Sequence, residues 1–169
     1  MRPPAFITQG NRRNARALGH GRFPHMSPAD TEVWLALLGN DHPTFDWISY
    51  DTRLGEGSRV YGLPERHHAE GWRDLSLKRV DAVVGTAGAV FATEVKPIAS
   101  MSALGQSLAY AFLLDSEYEF PVPVRPLVVA WVCDHDLAPI FADHGVSVLL
   151  PAAPHLGRRR LASVAFPLE

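Results

Sequence analysis

The chain has 169 residues and the composition of an ordinary globular protein, which suits one domain with a single core. Cys133 is the only cysteine, so an intrachain disulfide is excluded and a reducing compartment is favoured. No segment approaches the roughly 20 apolar residues of a membrane span, and the start lacks the apolar core of a signal peptide. The net charge of −2 indicates no partner by itself.

Charge is distributed unevenly along the chain. Residues 1–26 contain five arginines and no Asp or Glu, so the remaining residues, 27–169, carry a formal charge of −7. Because Gly, Pro, Asn and Arg dominate residues 1–26 and apolar periodicity is absent, we predict a basic, extended N-terminal arm. The arm is either a solvated leader or a contact segment for nucleic acid or an acidic partner.

A helix and a strand are predicted in the first third of the chain. Ser27 and Pro28 start a helix that runs to about residue 38, because serine caps helices and proline fits the first helical position. Residues 45–54 are predicted to form the first strand. The polar connection over residues 55–78 is long for a compact domain, and we predict a flap over a substrate groove.

Residues 81–96 are predicted to form a β-hairpin, because two runs of β-forming residues flank a turn of small residues. If Ala87 and Gly88 make a two-residue turn, Asp81 lies directly opposite Glu94 and both point to one face. Lys96, two residues after Glu94, shares that face. A three-residue loop with a bulge would instead shift the pairing by one residue.

The three charged side chains of this hairpin suit a particular chemistry. Two adjacent carboxylates, Asp81 and Glu94, repel each other unless a cation lies between them, and Mg²⁺ prefers such hard oxygen ligands. A lysine beside the ion, here Lys96, helps to orient or deprotonate a water molecule and stabilises the charge of a phosphate. The pattern therefore indicates metal-assisted phosphodiester hydrolysis.

The following helix is predicted over residues 101–118, with Ser100 as its cap. Its core-facing stripe is assigned to Met101, Leu104, Leu108 and Phe112. Gln106 and Tyr110 lie one turn apart, away from that stripe, and are therefore available to contact a substrate or water.

The last third of the chain is predicted to contain a strand, a short helix and another strand. The strand over residues 127–133 is a near-continuous apolar run and is therefore buried on both faces. Residues 134–144 form the helix and residues 146–150 the final strand. Residues 152–169 are a basic C-terminal tail, whose apolar end adds an edge strand or docks on a partner.

Asp81, the Glu94-Val95-Lys96 run of the next strand, and Gln106 and Tyr110 in the helix after it together resemble the PD-(D/E)xK nuclease superfamily. The similarity is to the branch with a QxxxY motif, which includes phage-type exonucleases and recombination nucleases. Judged by element order it covers residues 27–151, and no proline precedes Asp81. It implies an α/β fold, the restriction-endonuclease-like αβββαβ core, with a mixed central sheet flanked by helices.

The resemblance implies a role for each matched residue. Expected catalytic residues are Asp81, Glu94, Lys96, Gln106 and Tyr110. Expected ligands of Mg²⁺, for which Mn²⁺ would substitute, are Asp81, Glu94, the carbonyl of Val95 and the acidic residue Glu32 of the first helix. Expected nucleic-acid contacts are Arg12, Arg13, Arg16, Arg158, Arg159 and Arg160.

Three functions are compatible with these residues. The first is a Mg²⁺-dependent deoxyribonuclease of phage, recombination or repair systems. The second is a nuclease-like fold used as an assembly protein, for example in a phage particle, which binds partners through its basic arm. The third is a small binding domain in which Glu94 and Lys96 form a surface salt bridge. Expected partners are DNA, a second copy or a phage structural protein, without a membrane, in the cytoplasm or a virion.

Overall fold

The computed structural model describes residue 23 and residues 25–39, 45–57, 76–160 and 162–164. Its elements, in chain order, are α1 (Pro28–Gly39), β1 (Trp47–Leu54), β2 (Lys78–Gly85), β3 (Val90–Ala99), α2 (Met101–Glu117), β4 (Val124–Cys133), α3 (Ala138–Asp143), β5 (Ser147–Leu150) and β6 (Ala162–Ser163). A turn of 3₁₀-helix, Pro154–Leu156, precedes β6. The predicted order of helices and strands is confirmed, and the tail contributes β6 as an additional edge strand.

The six strands form one mixed sheet in the order β1-β2-β3-β4-β5-β6. The pairs β1–β2, β2–β3 and β5–β6 are antiparallel, whereas β3–β4 and β4–β5 are parallel. The parallel step from β3 to β4 needs a crossover, which α2 provides. The prediction of an α/β domain with a mixed sheet flanked by helices is therefore confirmed.

Helices α1 and α2 cover opposite faces of the sheet. Alternate residues of a strand point to opposite faces. In β2, Ala82 and Val84 belong to the hydrophobic cluster that contains α1, whereas Val83 belongs to the cluster that contains the second half of α2. A third cluster lies under α3, against β4 and β5. The central strands are therefore buried on both sides, as their apolar sequences predict.

The packed body of the domain begins before Ser27. Phe23 and Met26 are buried in the cluster that contains α1, and the ring of Phe23 lies 5.0 Å from that of Tyr50. The predicted boundary at residue 26 is therefore too late, because these two apolar side chains gain from burial beneath α1. The rest of the predicted arm, residues 1–22 and 24, and most of the predicted flap, residues 58–75, lie outside the described residues.

The face of α2 that packs on the sheet differs from the predicted one. Its buried residues are Ala103, Ser107, Tyr110, Ala111 and Leu114. Met101 and Phe112, predicted to face the core, are instead 74% and 72% exposed. Leu104 and Leu108, in contrast, are partly buried against the cluster under α3. The predicted core-facing stripe is therefore wrong at Met101 and Phe112.

Candidate active site

The turn between β2 and β3 fixes the register of the hairpin. The N–H of Thr86 donates to the carbonyl of Ala89 (2.9 Å), and the hydroxyl of Thr86 accepts from the N–H groups of Gly88 and Ala89. The turn is therefore the predicted two-residue turn and contains no bulge. The paired residues run from Gly85–Val90 to Ala82–Thr93.

Beyond the last of these pairs, a side chain of β2 binds the main chain of β3. Asp81 is the next residue of β2, and its Oδ2 accepts a hydrogen bond from the N–H of Val95 (2.9 Å). This bond fixes the orientation of a carboxylate that is only 7% exposed. The carbonyl of Val95 as a metal ligand stays a prediction.

The ammonium group of Lys96 lies among three carboxylates. Its Nζ is 3.0 Å from Oε1 of Glu94, 3.5 Å from Oδ2 of Asp30 and 4.0 Å from Oδ2 of Asp81. All three carboxylates are buried, and Glu94 is only 2% exposed. The predicted trio of Asp81, Glu94 and Lys96 thus comes together at one point, and Asp30 joins it.

Asp30, rather than Glu32, is the acidic residue of α1 that reaches this cluster. The hydroxyl of Ser27 accepts from the N–H of Asp30 (3.1 Å), and Oδ2 of Asp30 accepts from the N–H of Ser27 (3.2 Å). This reciprocal pair is a capping box with Asp in place of the usual Glu or Gln. Glu32 is exposed. The spacing of Ser27 and Asp30 was the available signal in the sequence.

The pKa values of two carboxyl groups of this cluster, those of Asp81 and Glu94, are raised. Burial raises the pKa of Asp81 to about 6. Burial, followed by the charge of Asp81, raises the pKa of Glu94 to about 7. Burial lowers the pKa of Lys96, but the charges of Glu94, Asp81 and Asp30 outweigh burial, so the pKa lies above its usual value. The ammonium is therefore charged at neutral pH, while Glu94 titrates there.

Of the two predicted residues of α2, Tyr110 interacts with this cluster and Gln106 carries a buried, unpaired amide oxygen. Burial raises the pKa of Tyr110 to about 12, and the charges of Glu94 and Asp81 raise it further, which places the phenol within electrostatic range of both carboxylates. Oε1 of Gln106 is buried and has no hydrogen-bond partner among the described residues. Tyr110 also contributes to the core, because its ring belongs to the hydrophobic cluster of α2.

The donor atoms of the cluster suit a hard divalent cation. The carboxylate oxygens of Asp81 and Glu94 and the amide oxygen of Gln106 are the ligand types that Mg²⁺ prefers. Among the described residues, however, no group of three or more His, Cys, Asp or Glu side chains is arranged to hold a metal ion. Lys96 supplies the positive charge between the carboxylates, so an ion entering the cluster would compete with its Nζ.

A second ion group, not predicted from the sequence, lies on the neighbouring strands. Arg79 donates two hydrogen bonds to Asp51, from Nε to Oδ1 (2.8 Å) and from Nη2 to Oδ2 (2.9 Å). Nε2 of His25 is 3.4 Å from Oδ1 of Asp51, and the charge of His25 lowers the pKa of Asp81 against the effect of burial. His25 and Asp51 both have positive φ, 65° and 54°.

The arginines predicted to contact nucleic acid have different environments. Arg158 binds the chain itself: its guanidinium donates to the carbonyls of Pro151 and Trp131 and holds the 3₁₀ turn against β4. Arg159 and Arg160 are exposed. The predicted contacts at Arg12, Arg13 and Arg16 lie outside the described residues. Arg158 is therefore occupied by a structural role, in contrast to our prediction.

Comparison of the chain with protein-family models, with curated proteins and with solved structures gave no match. Within the described part of the chain, no helix is both long enough and apolar enough to cross a membrane.

Proposed function

We propose that the chain is a Mg²⁺-dependent nuclease with a restriction-endonuclease-like fold, which hydrolyses phosphodiester bonds in DNA. The observation that supports this best is the convergence of Asp81, Glu94 and Lys96 where the paired register of β2 and β3 ends. The parallel step to β4 through α2, the interaction of Tyr110 with the cluster and the buried, unpaired Oε1 of Gln106 agree with the same proposal.

Asp81 and Glu94 would hold the ion, with Oε1 of Gln106 as a further oxygen donor. The ion, when bound, would supply positive charge to the phosphate and make a water molecule more acidic. The N–H of Val95 fixes the carboxylate of Asp81 in advance, so little ordering is needed when the cation arrives.

Lys96 acts through its charge rather than as a base. Since its pKa lies above the usual value, the ammonium has little tendency to accept or exchange a proton at neutral pH. A fixed positive charge at Nζ stabilises the negative charge that develops on a phosphate oxygen during hydrolysis. The same charge holds the carboxylates of the site together before a cation or substrate binds.

Tyr110 serves as a hydrogen-bond donor. With a pKa of about 12, the phenol keeps its proton throughout the physiological range. A buried phenol beside two carboxylates is suited to orient a water molecule or a phosphate oxygen. The basic segment of residues 1–26 would recruit the DNA strand, because residues 27–169 carry a formal charge of −7 and repel it.

The test is incubation of linear and circular DNA with the full chain in Mg²⁺, in Mn²⁺ and in a chelator. Cleavage that requires the metal is expected, and cleavage of linear DNA alone would identify an exonuclease. Glu94→Gln and Lys96→Ala should abolish it, whereas Glu32→Gln, which changes an exposed carboxylate of α1, should leave it unchanged. Absence of cleavage with both metals, or full activity of Glu94→Gln, would contradict the proposal.

One observation favours a second candidate, an assembly protein with a nuclease-like fold. Lys96 already lies among the three carboxylates, so the cluster contains a counter-ion of the chain itself without a metal. Such an ion group would serve as a structural element. In this case the chain would not cleave DNA under any of the conditions above, and removal of residues 1–22 would abolish binding to a structural partner while DNA affinity stays the same.

A further inference from the structure

The ion group of His25, Asp51 and Arg79 lies next to the candidate active site, and the proposed reaction does not use it. Asp51 faces Asp81 across the paired strands β1 and β2, because both residues lie between the same two pairs of the register. Those pairs are Tyr50–Ala82 and Thr52–Val80. The ion group is therefore anchored beside one of the two carboxylates assigned to the metal ion.

The carboxylate of Asp51 selects one tautomer of the imidazole of His25. Nε2 of His25 lies 3.4 Å from Oδ1 of Asp51. A carboxylate oxygen at this distance repels a nitrogen lone pair, so Nε2 carries the hydrogen and Nδ1 of the neutral ring carries the lone pair. Arg79 binds both oxygens of Asp51 and keeps the carboxylate in place. Nδ1 is thus the proton acceptor that this group presents.

The backbone around His25 fixes the position of the ring and leaves it open to water. Phe23 and Met26 are buried and anchor the segment, whereas the side chain of His25 is 44% exposed. His25 and Asp51 both have positive φ, which is uncommon for residues other than glycine and persists where the surrounding structure enforces it. The pair is therefore held in one arrangement.

The proposed reaction needs a group that accepts a proton when water attacks phosphorus. Asp81 and Glu94 are assigned to the ion, and Lys96 and Tyr110 keep their protons because their pKa values lie above the usual ones. Burial raises the pKa of Asp81 and the charge of His25 lowers it, so the imidazole lies within electrostatic range of the site. Histidine side chains in general titrate close to neutral pH, which suits a general base.

We propose that His25 is the general base of the reaction and that Asp51 and Arg79 are its positioning residues, an inference that rests on the proposed nuclease function. As the oxygen of a water molecule bonds to phosphorus and the bond to the leaving oxygen breaks, one proton of the water passes to Nδ1 of His25. The leaving oxygen takes up a proton from solvent, and His25 then returns its proton to solvent. The carboxylate of Asp51 stabilises the imidazolium that forms.

His25→Gly tests this role, because glycine readily adopts positive φ and leaves room for an imidazole molecule from solution. In saturating Mg²⁺, kcat for DNA cleavage should fall by about 10²- to 10⁴-fold, and added imidazole should restore part of it in proportion to its unprotonated form. His25→Asn, which also tolerates positive φ, should show the same loss without rescue. His135→Gly, which removes a fully exposed histidine beside Asp136, should match the parent and not respond to imidazole.

Asp51→Asn tests the positioning role through the pH profile. The charged groups that act on His25 among the described residues are Asp51, Arg79 and Asp81. A carboxylate favours the protonated imidazole, so its replacement by an amide makes the ring lose its proton at lower pH. In saturating Mg²⁺, kcat should fall and the acidic limb of its pH profile should move to lower pH, which loss of a merely structural contact would not cause.

The outcomes separate this role from the proposed function itself. If the parent cleaves DNA and His25→Gly is equally active, the assignment of His25 is overturned while the nuclease stands. An increase in the Mg²⁺ concentration for half-maximal rate in His25→Gly, without rescue by imidazole, would show a metal ligand and also overturn it. An acidic limb of Asp51→Asn at the pH of the parent would overturn the role of Asp51. A parent that cleaves no DNA with either metal would overturn the proposed function and this role together.

Discussion

Replacement of Glu94 by Gln should make the folded protein more stable at pH 8 while it removes activity. Glu94 is 2% exposed, and its pKa is raised from 4.5 to about 7, first by burial and then by Asp81. A carboxyl group with a raised pKa takes up a proton on folding at any pH between those two values. Its contribution to stability is therefore complete below pH 4.5 and is lost as the pH rises through 7. Gln has nearly the same shape and no charge, so the variant does not undergo this loss.

The magnitude follows from the size of the shift. A difference of roughly 2.5 pKa units corresponds to about 3 kcal/mol of unfolding free energy at pH 8, and to less than about 1 kcal/mol at pH 5. This difference already includes the 3.0 Å ion pair with Lys96, whose charge lowers the pKa of Glu94 against the effect of burial. We therefore expect Glu94→Gln to gain about 3 kcal/mol at pH 8 and less than about 1 kcal/mol at pH 5.

Urea unfolding of the parent and the variant at the two pH values measures this difference. Glu32→Gln is the matched control, because it removes an exposed carboxylate from α1 and should change the unfolding free energy equally little at both pH values. A Glu94→Gln variant that is less stable than the parent at pH 8 would refute the reasoning, because the ion pair with Lys96 would then outweigh the burial of the charge.

Three other changes test the remaining parts of the site. Lys96→Ala should abolish cleavage and lower the unfolding free energy by about 3 kcal/mol at pH 8 and by less at pH 5. The loss depends on pH because the buried carboxylate partners of Lys96 need a counter-ion only when they are ionised. Lys78→Ala, at an exposed position of β2, is the control in activity assays and urea unfolding. Gln106→Ala should lower activity without lowering the melting temperature, because the amide oxygen has no hydrogen-bond partner among the described residues; a large loss of stability would show that Gln106 belongs to the core. Deletion of residues 1–22, which leaves the buried Phe23 in place, should weaken DNA binding and reduce its salt dependence, as measured by titration at several salt concentrations; unchanged binding would contradict the recruiting role.

Local chemistry allowed the hairpin of the site to be predicted residue by residue. The two-residue turn at Ala87 and Gly88 sets the register, which pairs the strands as far as Ala82 and Thr93, and Asp81 and Glu94 are the next residue of each strand. These relations depend only on contacts between neighbours in the chain, so no knowledge of the tertiary structure was needed.

The contribution of Asp30 could not be deduced in the same way. The capping box of Ser27 and Asp30 is a local pattern, but the approach of that helix end to Lys96 depends on how α1 lies across β3 and β4. We chose Glu32 because of the resemblance, although the structure leaves it exposed. Asp30, which already caps α1, is therefore the residue of this helix that also contributes to the site.

The core-facing side of α2 was misassigned for a related reason. Hydrophobicity alone favours Met101 and Phe112 as core residues, yet the side of α2 that is buried is the one with Ala103, Ser107 and Leu114. The large apolar residues are then left on the outside. Whether an apolar stripe faces the core or a second chain depends on the opposite surface, which the helix sequence does not describe.

The start of α1 and the candidate active site share one atom, and this links the charge of the site to the fold. Oδ2 of Asp30 accepts the hydrogen bond from the N–H of Ser27 and also lies 3.5 Å from Nζ of Lys96. A cation that binds Asp81 and Glu94 would weaken the hold of those carboxylates on Lys96, and Asp30 would become the principal anionic partner of the ammonium. A carboxylate in the first turn of a helix also interacts favourably with the helix dipole, which is a further contact of Asp30 with α1. The residue that caps α1 is thus suited to keep Lys96 charged and in place when the other two carboxylates are engaged.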